Sequence, residues 1–212
     1  AGHDHPDWRG FGPLRVINDD LLAAGEGFGM HPHRDMEIIT LMVAGELSHR
    51  DSIGNSEVLR TDEVQRMTAG SGIVHSEINS GATPCRLLQI WVTPNRRGLP
   101  PDYGQRAFPR REGWTLLVDP NGSEGALVIQ RSVRLWRARP RPDAELALPL
   151  AGSSPGWIQV IDGTLAARLS TASGPALGNL RAGDGLGLAP GAGGSLTAGP
   201  DGADLLLFEL GA

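Results

Sequence analysis

An all-β protein, built as a sandwich or barrel, is what this sequence predicts, on three observations. The apolar residues come in short runs rather than at helical spacing, turn-forming residues punctuate those runs, and the chain carries 30 Gly and 16 Pro. Glycine and proline break helices and build turns. Short apolar runs separated by turn signals every eight to twelve residues or so belong to sandwiches and barrels. In order, residues 14–17, 37–43, 58–59, 87–92, 116–118, 126–129, 157–161, 165–169 and 205–210 read as strands. Gly45, Asn55, Gly81, Pro94-Asn95, Asn121-Gly122, Gly163, Gly174-Pro175 and Asp201-Gly202 read as the turns that punctuate them. Residues 21–24 are too short a run, and too close to glycines, to count as a helix.

The stretch 95–113 is rich in Pro, Gly and Arg and reads as a crossover between two halves, 1–110 and 111–212. The halves echo one another. Val43-Ala44-Gly45-Glu46-Leu47 is similar to Val160-Ile161-Asp162-Gly163-Thr164-Leu165, and Arg60-Thr61-Asp62-Glu63-Val64 to Arg181-Ala182-Gly183-Asp184-Gly185. Such echoes fit an internal repeat of one barrel.

Composition excludes several chemistries. With 40% hydrophobic residues the chain can bury real cores. The net charge is −5, whereas a protein that neutralises phosphates needs a basic face. Arg134, Arg137, Arg139 and Arg141 are interleaved with Trp136 and two prolines and read as a solvated strand edge. There is no lysine, which removes Schiff-base chemistry, pyridoxal anchoring and a P-loop lysine. The single Cys85 excludes an intramolecular disulfide and reads as a buried thiol in an apolar run. No apolar run is long enough to cross a bilayer, and no signal peptide is visible at the start. The expectation is a soluble, cytoplasmic protein with no direct nucleic-acid or membrane partner.

All six histidines lie at or before His75. His31 and His33 are two apart, and so are His75 and Glu77. Residues i and i+2 of a strand point to one face, so two such pairs on neighbouring strands would aim four donors at one point. Three imidazoles and a carboxylate leave open positions on an octahedral metal. A lone His-x-His is more often a polar loop; two pairs at strand spacing, each beside glycines, are harder to dismiss. His3 and His5 could be mistaken for ligands but sit where a chain end frays.

Gly25, His31, His33, Glu37 and Gly45 resemble the first cupin motif, G-x5-H-x-H-x3-E-x6-G, with one extra residue before the last Gly. Gly72, His75 and Asn79 resemble the end of the second, P-x-G-x2-H-x3-N, with Gly70 where Pro is usual. The phrases FGPLRVINDD, GFGMHPHRDMEIIT, VQRMTAGSGIVHSEIN and LQIWVTPNRRGLPPDYGQ are similar to the pirin family within the cupins. The second half resembles that family's degenerate second cupin only loosely. The resemblance implies a bicupin, two tandem β-barrels of jelly-roll type, with the metal site in the N-terminal barrel. The second half has no His, so its barrel is expected to be structural. Pirin-like chains usually carry a further segment before the FGPLRV strand, so the start of this chain is expected to be trimmed or to lack the first strands.

The two patterns differ over the carboxylate. The general cupin pattern implies Glu37, the pirin pattern His31, His33, His75 and Glu77, and spacing alone does not decide. The closer family favours Glu77, which leaves Glu37 as an alternative ligand, a residue behind the ligands that orients an imidazole, or a carboxylate paired with an arginine. The resemblance further implies one divalent metal per chain, Fe(II) first, with Ni, Co, Mn, Cu and Zn also suited to these donors. It implies a quercetin 2,3-dioxygenase-like activity on a flavonol-like aromatic with O2, with Glu77 as catalytic base. Met30, Met67 and Ile73 are candidates for an apolar substrate wall. The alternative is a non-enzymatic iron-binding regulator or redox sensor that acts through a protein partner.

Overall fold

The computed structural model describes residues 10–150 and 152–211, so His3 and His5 lie outside the described residues. Among the described residues the chain is strand after strand, with one short 3-10 turn at Ser123–Gly125 and no helix long and apolar enough to cross a membrane. It divides into two compact units.

The first unit runs through Phe108 and takes back Leu127–Arg131, which holds the two-residue strand β11 (Leu127–Val128). Its strands are β1 (Leu14–Leu22), β2 (Gly27–His33), β3 (Glu37–Ala44), β4 (Glu46–Asp51), β5 (Ser56–Arg60), β6 (Glu63–Thr68), β7 (Ile73–Ile78), β8 (Cys85–Val92) and β9 (Asp102–Ala107). They form two antiparallel sheets, ordered β1-β8-β3-β6-β9 and β2-β7-β4-β5. The sheets pack face to face through two apolar clusters. Met42, Leu47, Leu59, Cys85 and Leu87 form one, and Ile38, Met67, Ala69 and Ile73 the other. β3 and β8 are buried along nearly their whole length and so read as continuous apolar runs. β7 alternates buried and partly exposed residues, which hides it from a search for such runs.

The second unit holds β10 (Thr115–Asp119), β12 (Val133–Ala138), β13 (Glu145–Ala147), β14 (Gly156–Thr171), β15 (Gly174–Arg181), β16 (Gly185–Leu188) and β17 (Gly193–Leu210). Its sheet runs β10-β12-β17-β14-β15, with β13 on β17 and β16 on β14. The core is apolar, with Ile158, Val160, Leu165, Leu196, Leu205 and Leu207 all at 0–2% exposure. Two predicted turns are not turns. β14 runs through Gly163, and β17 runs through Asp201 and Gly202. The β14–β17 register shifts on either side of Gly163, between Val160 and Asp162 and between Gly163 and Leu165. Gly163 and Gly202 both sit at φ +78, and a Cβ on Gly163 would overlap the Gly202 carbonyl oxygen. The glycines therefore mark bulges that bend a continuous ladder.

The sequence echoes correspond to equal hydrogen bonding. Thr61 N–H donates to Gly45 O (3.1 Å) and Asp62 N–H to Met42 O (3.2 Å); Ala182 N–H donates to Gly163 O and Gly183 N–H to Val160 O, both at 3.0 Å. Arg60 N–H is accepted by the Glu63 carboxylate and Arg181 N–H by that of Asp184. The arginine run is not a solvated edge, because β12 lies between β10 and β17. Arg134 bonds Asp119 and Glu209, Arg137 and Arg139 both bond Asp204, and Arg141 faces Glu112. Asp119 is fully buried, which opposes its charge, but N–H groups of Ser123 and Asn121 and the Arg134 guanidinium together hold its pKa below the ordinary value.

Gly163→Ala forces a side chain into a left-handed backbone and against a neighbouring strand. It should cost about 2–4 kcal/mol in urea unfolding. Gly178→Ala on β15, with nothing within 4 Å of the new Cβ, should stay within about 0.5 kcal/mol of the parent. Equal effects at the two positions would count against the bulge.

Candidate metal centre

β2 and β7 pair with His31 opposite His75 and Phe28 opposite Glu77. Three steps on β2 thus match two on β7, so β2 carries one extra residue at Gly29–Met30. This bulge lets Phe28, His31 and His33 all turn inward. The bulge also fixes His31: its Nδ1 lies 2.7 Å from the Gly29 carbonyl oxygen. A carbonyl only accepts, so Nδ1 carries a proton, and the neutral ring has its lone pair on Nε2. On β7 the alternation puts Ile73, His75 and Glu77 inside and leaves Val74 38% exposed.

The imidazoles meet. Ring centroids are 4.8 Å apart for His31–His33, 4.4 Å for His31–His75 and 5.0 Å for His33–His75. One nitrogen from each lies within 4.8 Å of the others. Glu77 joins His75 in a second set of donor atoms within the same limit, and the third member of that set is His49. His75 therefore links two donor sets. It is fully buried, and neither of its ring nitrogens has a hydrogen-bond partner. A buried polar group left unpaired costs about 1–3 kcal/mol, so a cation on His75 would complete the fold as well as occupy it. Burial, then the neighbouring imidazoles, press the His75 pKa down to about 3. Burial and His31 press His33 down to about 4. Both rings are thus neutral at neutral pH, the state in which an imidazole ligates.

Glu77 is clamped from the facing sheet. Its Oε1 accepts from Thr40 Oγ1 (3.0 Å) and Gln65 Nε2 (2.7 Å), and its Oε2 from Gln89 Nε2 (2.6 Å). Thr40 is cross-strand from both Gln65 and Gln89, so one row across β6, β3 and β8 supplies all three donors. Trp91 Nε1 in turn donates to Gln89 Oε1, and Tyr103 OH to Gln65 Oε1, both at 3.3 Å. Burial raises the Glu77 pKa against these donors and the nearby imidazoles. On β4, His49 is cross-strand from Glu77 and Asp51 from His75.

The sequence profile described as Pirin matches residues 4–92, and the profile described as Quercetinase C-terminal cupin domain matches residues 116–210. Quercetin 2,3-dioxygenase of Escherichia coli (strain K12) is 41% identical over 166 residues, 78% of this chain and 72% of that protein. The chain belongs to the pirin family. The crystal structure of YhhW from Escherichia coli covers 100% of this pirin with 87% of its own chain, at TM-score 0.87 and 35% identity. A second structure, of bacterial pirin YhhW in complex with nickel(II), covers 99% with 87% of its own chain, at TM-score 0.86 and 35% identity. The bicupin architecture of the present pirin is that of its relatives.

Several sequence-predicted residues fall elsewhere in this pirin. Glu37 does not orient an imidazole. Asp35, at φ +52, turns the chain from the sheet of β2 into that of β3, so Glu37 does not share a strand face with His33. Glu37 lies on the face of β3 opposite Thr40, where its Oε2 accepts from Thr68 Oγ1 (2.9 Å) and Gln130 N–H (3.4 Å). Met67 and Ile73 are core, at 0% and 2% exposure, packed with Ile38 and Ala69; Met30 is 59% exposed. Gly70 replaces the usual proline because it sits at φ +49, where a Cβ would overlap the Leu99 carbonyl oxygen; proline is held near −65°. The sequence reading passed over Thr40, Gln65 and Gln89, although Thr40 and Gln89 are polar residues within largely apolar strands. It also passed over His49 and Asp51, which have the same i, i+2 spacing as the pairs it found.

Burial, above all, pushes the Glu37 pKa from 4.5 up to about 7, against Thr68, Gln130 and Arg66. Between these values the folded chain keeps a proton that the unfolded chain has released. Its contribution to stability is therefore full below pH 4.5 and is lost as the pH rises through 7, about 3 kcal/mol at 1.36 kcal/mol per unit. Glu37→Gln should remove this slope, making the variant the more stable protein at pH 8 and its equal near pH 4.5. Urea unfolding across that range reads the difference, and parallel slopes would show a carboxyl that ionises freely in the fold.

Proposed function

We propose that this pirin is a metal-dependent oxygenase of the quercetin 2,3-dioxygenase type, acting on a flavonol-like aromatic with O2. His31, His33, His75 and Glu77 would hold one divalent cation, Fe(II) first among those suited to imidazole and carboxylate. The observation that carries this reading is His75, buried with both ring nitrogens unpartnered beside two imidazoles and a clamped carboxylate. The name carried by the Escherichia coli relative and the nickel(II) complex of YhhW support it.

The cation would supply Lewis acidity toward a substrate hydroxyl and redox contact with O2. The chain does the rest. The Gly29 carbonyl holds His31 with Nε2 free, and burial keeps His33 and His75 unprotonated. The substrate would approach from the β2 side, where His31 and His33 are partly exposed and Met30 offers an apolar rim. Trp91 packs edge-on against His33 at 5.1 Å and limits how that ring turns. Glu77, made more basic by burial, would take the proton from the flavonol 3-hydroxyl. Thr40, Gln65 and Gln89 fix where its oxygens point.

Metal content of the purified protein, followed by O2 uptake of the iron-loaded form on a flavonol panel, tests this. About one metal per chain and uptake on at least one flavonol are expected, and His33→Ala should lose the uptake. Glu77→Gln should reduce uptake by about 10²–10⁴-fold, the range for a lost general base, and Glu37→Gln far less. One metal per chain with no uptake on any flavonol would leave a metal-binding protein that acts through a partner.

A further inference from the structure

His49 stands outside that ligand set but carries the features of a ligand. It is 1% exposed, and its Nε2 lies 3.1 Å from Asp51 Oδ2. Asp51 is itself held by the backbone N–H groups of Ile53 (3.0 Å) and Asn55 (2.9 Å) and by Asn55 Nδ2 (2.7 Å). A metal-bound imidazole characteristically gives its other N–H to such a carboxylate, which fixes the tautomer and keeps the remaining nitrogen basic. In His49 the remaining nitrogen is Nδ1. Tyr103 stacks on the ring, with centroids 4.7 Å apart and planes at 25°, so the ring is held in place. A nitrogen of His49, a nitrogen of His75 and a carboxylate oxygen of Glu77 lie within 4.8 Å of one another, and all three residues are buried. Gln65 Nε2 reaches into this set, 2.7 Å from Glu77 Oε1 and 3.4 Å from His49 Nδ1. The positive end of an amide thus sits where a carboxylate and an imidazole lone pair converge, which is where a cation is favoured.

We propose that His49, His75 and Glu77 form a second, inner cation position for a divalent metal of the class that imidazole and carboxylate bind. It shares His75 and Glu77 with the outer set proposed above, and rests on that reading only in taking those two residues as donors. Because the positions share ligands, the chain holds one cation in either place. The outer position is reached past the partly exposed His31 and His33; the inner one is enclosed and opens when the Gln65 amide moves aside.

The test is Co(II) binding to the full chain by chelator competition, with the visible spectrum of the bound ion as a second readout. His31→Ala/His33→Ala removes half of the outer set. That double variant is expected to bind one Co(II) per chain with a changed spectrum, and adding His49→Ala should abolish the binding. Gln65→Ala in the double variant should tighten it. Thermal melts check folding, and His31→Gln/His33→Gln serves if the alanine pair does not fold. A folded double variant that binds no Co(II), or one whose binding survives His49→Ala, overturns the inner position. If the parent still binds in the first case, the outer reading stands. Loss of binding in His49→Ala alone, with the double variant unaffected, would instead keep the inner position and remove the outer one.

Discussion

The burial of one carboxylate constrains the first unit more than any other feature. Glu77 is 0% exposed on the inner face of β7, and a buried carboxylate without partners is too costly to keep. The facing sheet answers with a row of neutral donors, Gln65, Thr40 and Gln89, from three paired strands. Those bonds need both sheets in register, since a one-residue slip of β3, β6 or β8 would turn its donor to the other face. The same bonds fix the carboxylate that would ligate, so holding the sheets together and aiming the donor are one interaction.

The polar row can exist because apolar layers flank it at two-residue steps. Along β3 the inward residues are Ile38, Thr40 and Met42, and along β8 they are Leu87, Gln89 and Trp91. Ile38 belongs to one apolar cluster with Trp91 against it, and Met42 and Leu87 belong to the other. β7 and β4 complete the layers, Ile73 leading to His75 and Glu77, and Leu47 to His49 and Asp51. Cys85 lies in the second cluster, and burial raises its thiol pKa, in keeping with the buried thiol read from its apolar run.

The sequence made the all-β class legible because β3 and β8 are buried on both faces and therefore read as apolar runs. It did not reveal that Gly163 and Gly202 bend strands rather than end them, since a turn glycine and a bulge glycine look alike until the partner strand is known. The i, i+2 pairs were legible because period two holds within β2 and β7. Spacing left Glu37 undecided because the count from His33 crosses Asp35, where the chain changes sheets. The bulge at Gly29–Met30 was hidden for a similar reason, since it shows only when β2 is set against β7. His49 and Asp51 share the i, i+2 spacing on β4, but their significance lies in standing across from Glu77 and His75, a pairing that the sequence does not show.

The two units show what this chemistry demands of a cupin-type sandwich. Both use the same glycine-centred hydrogen bonds at equivalent turns. The second unit fills its core with Ile, Val, Leu, Ala and Trp136, and its buried charges, Asp119, Arg137 and Glu209, are held in ion pairs along β12. The first gives up apolar packing at the centre to imidazoles, a carboxylate and their donors, and leaves His75 unpartnered. Each unpaired or ionisable group there lowers the stability that the flanking clusters supply. A site that weakens the fold when empty and completes it when a cation binds gives the bound state a stability of its own. His75 is where the two effects meet, because among the described residues it is at once the least satisfied of the unit and a donor common to both proposed cation positions.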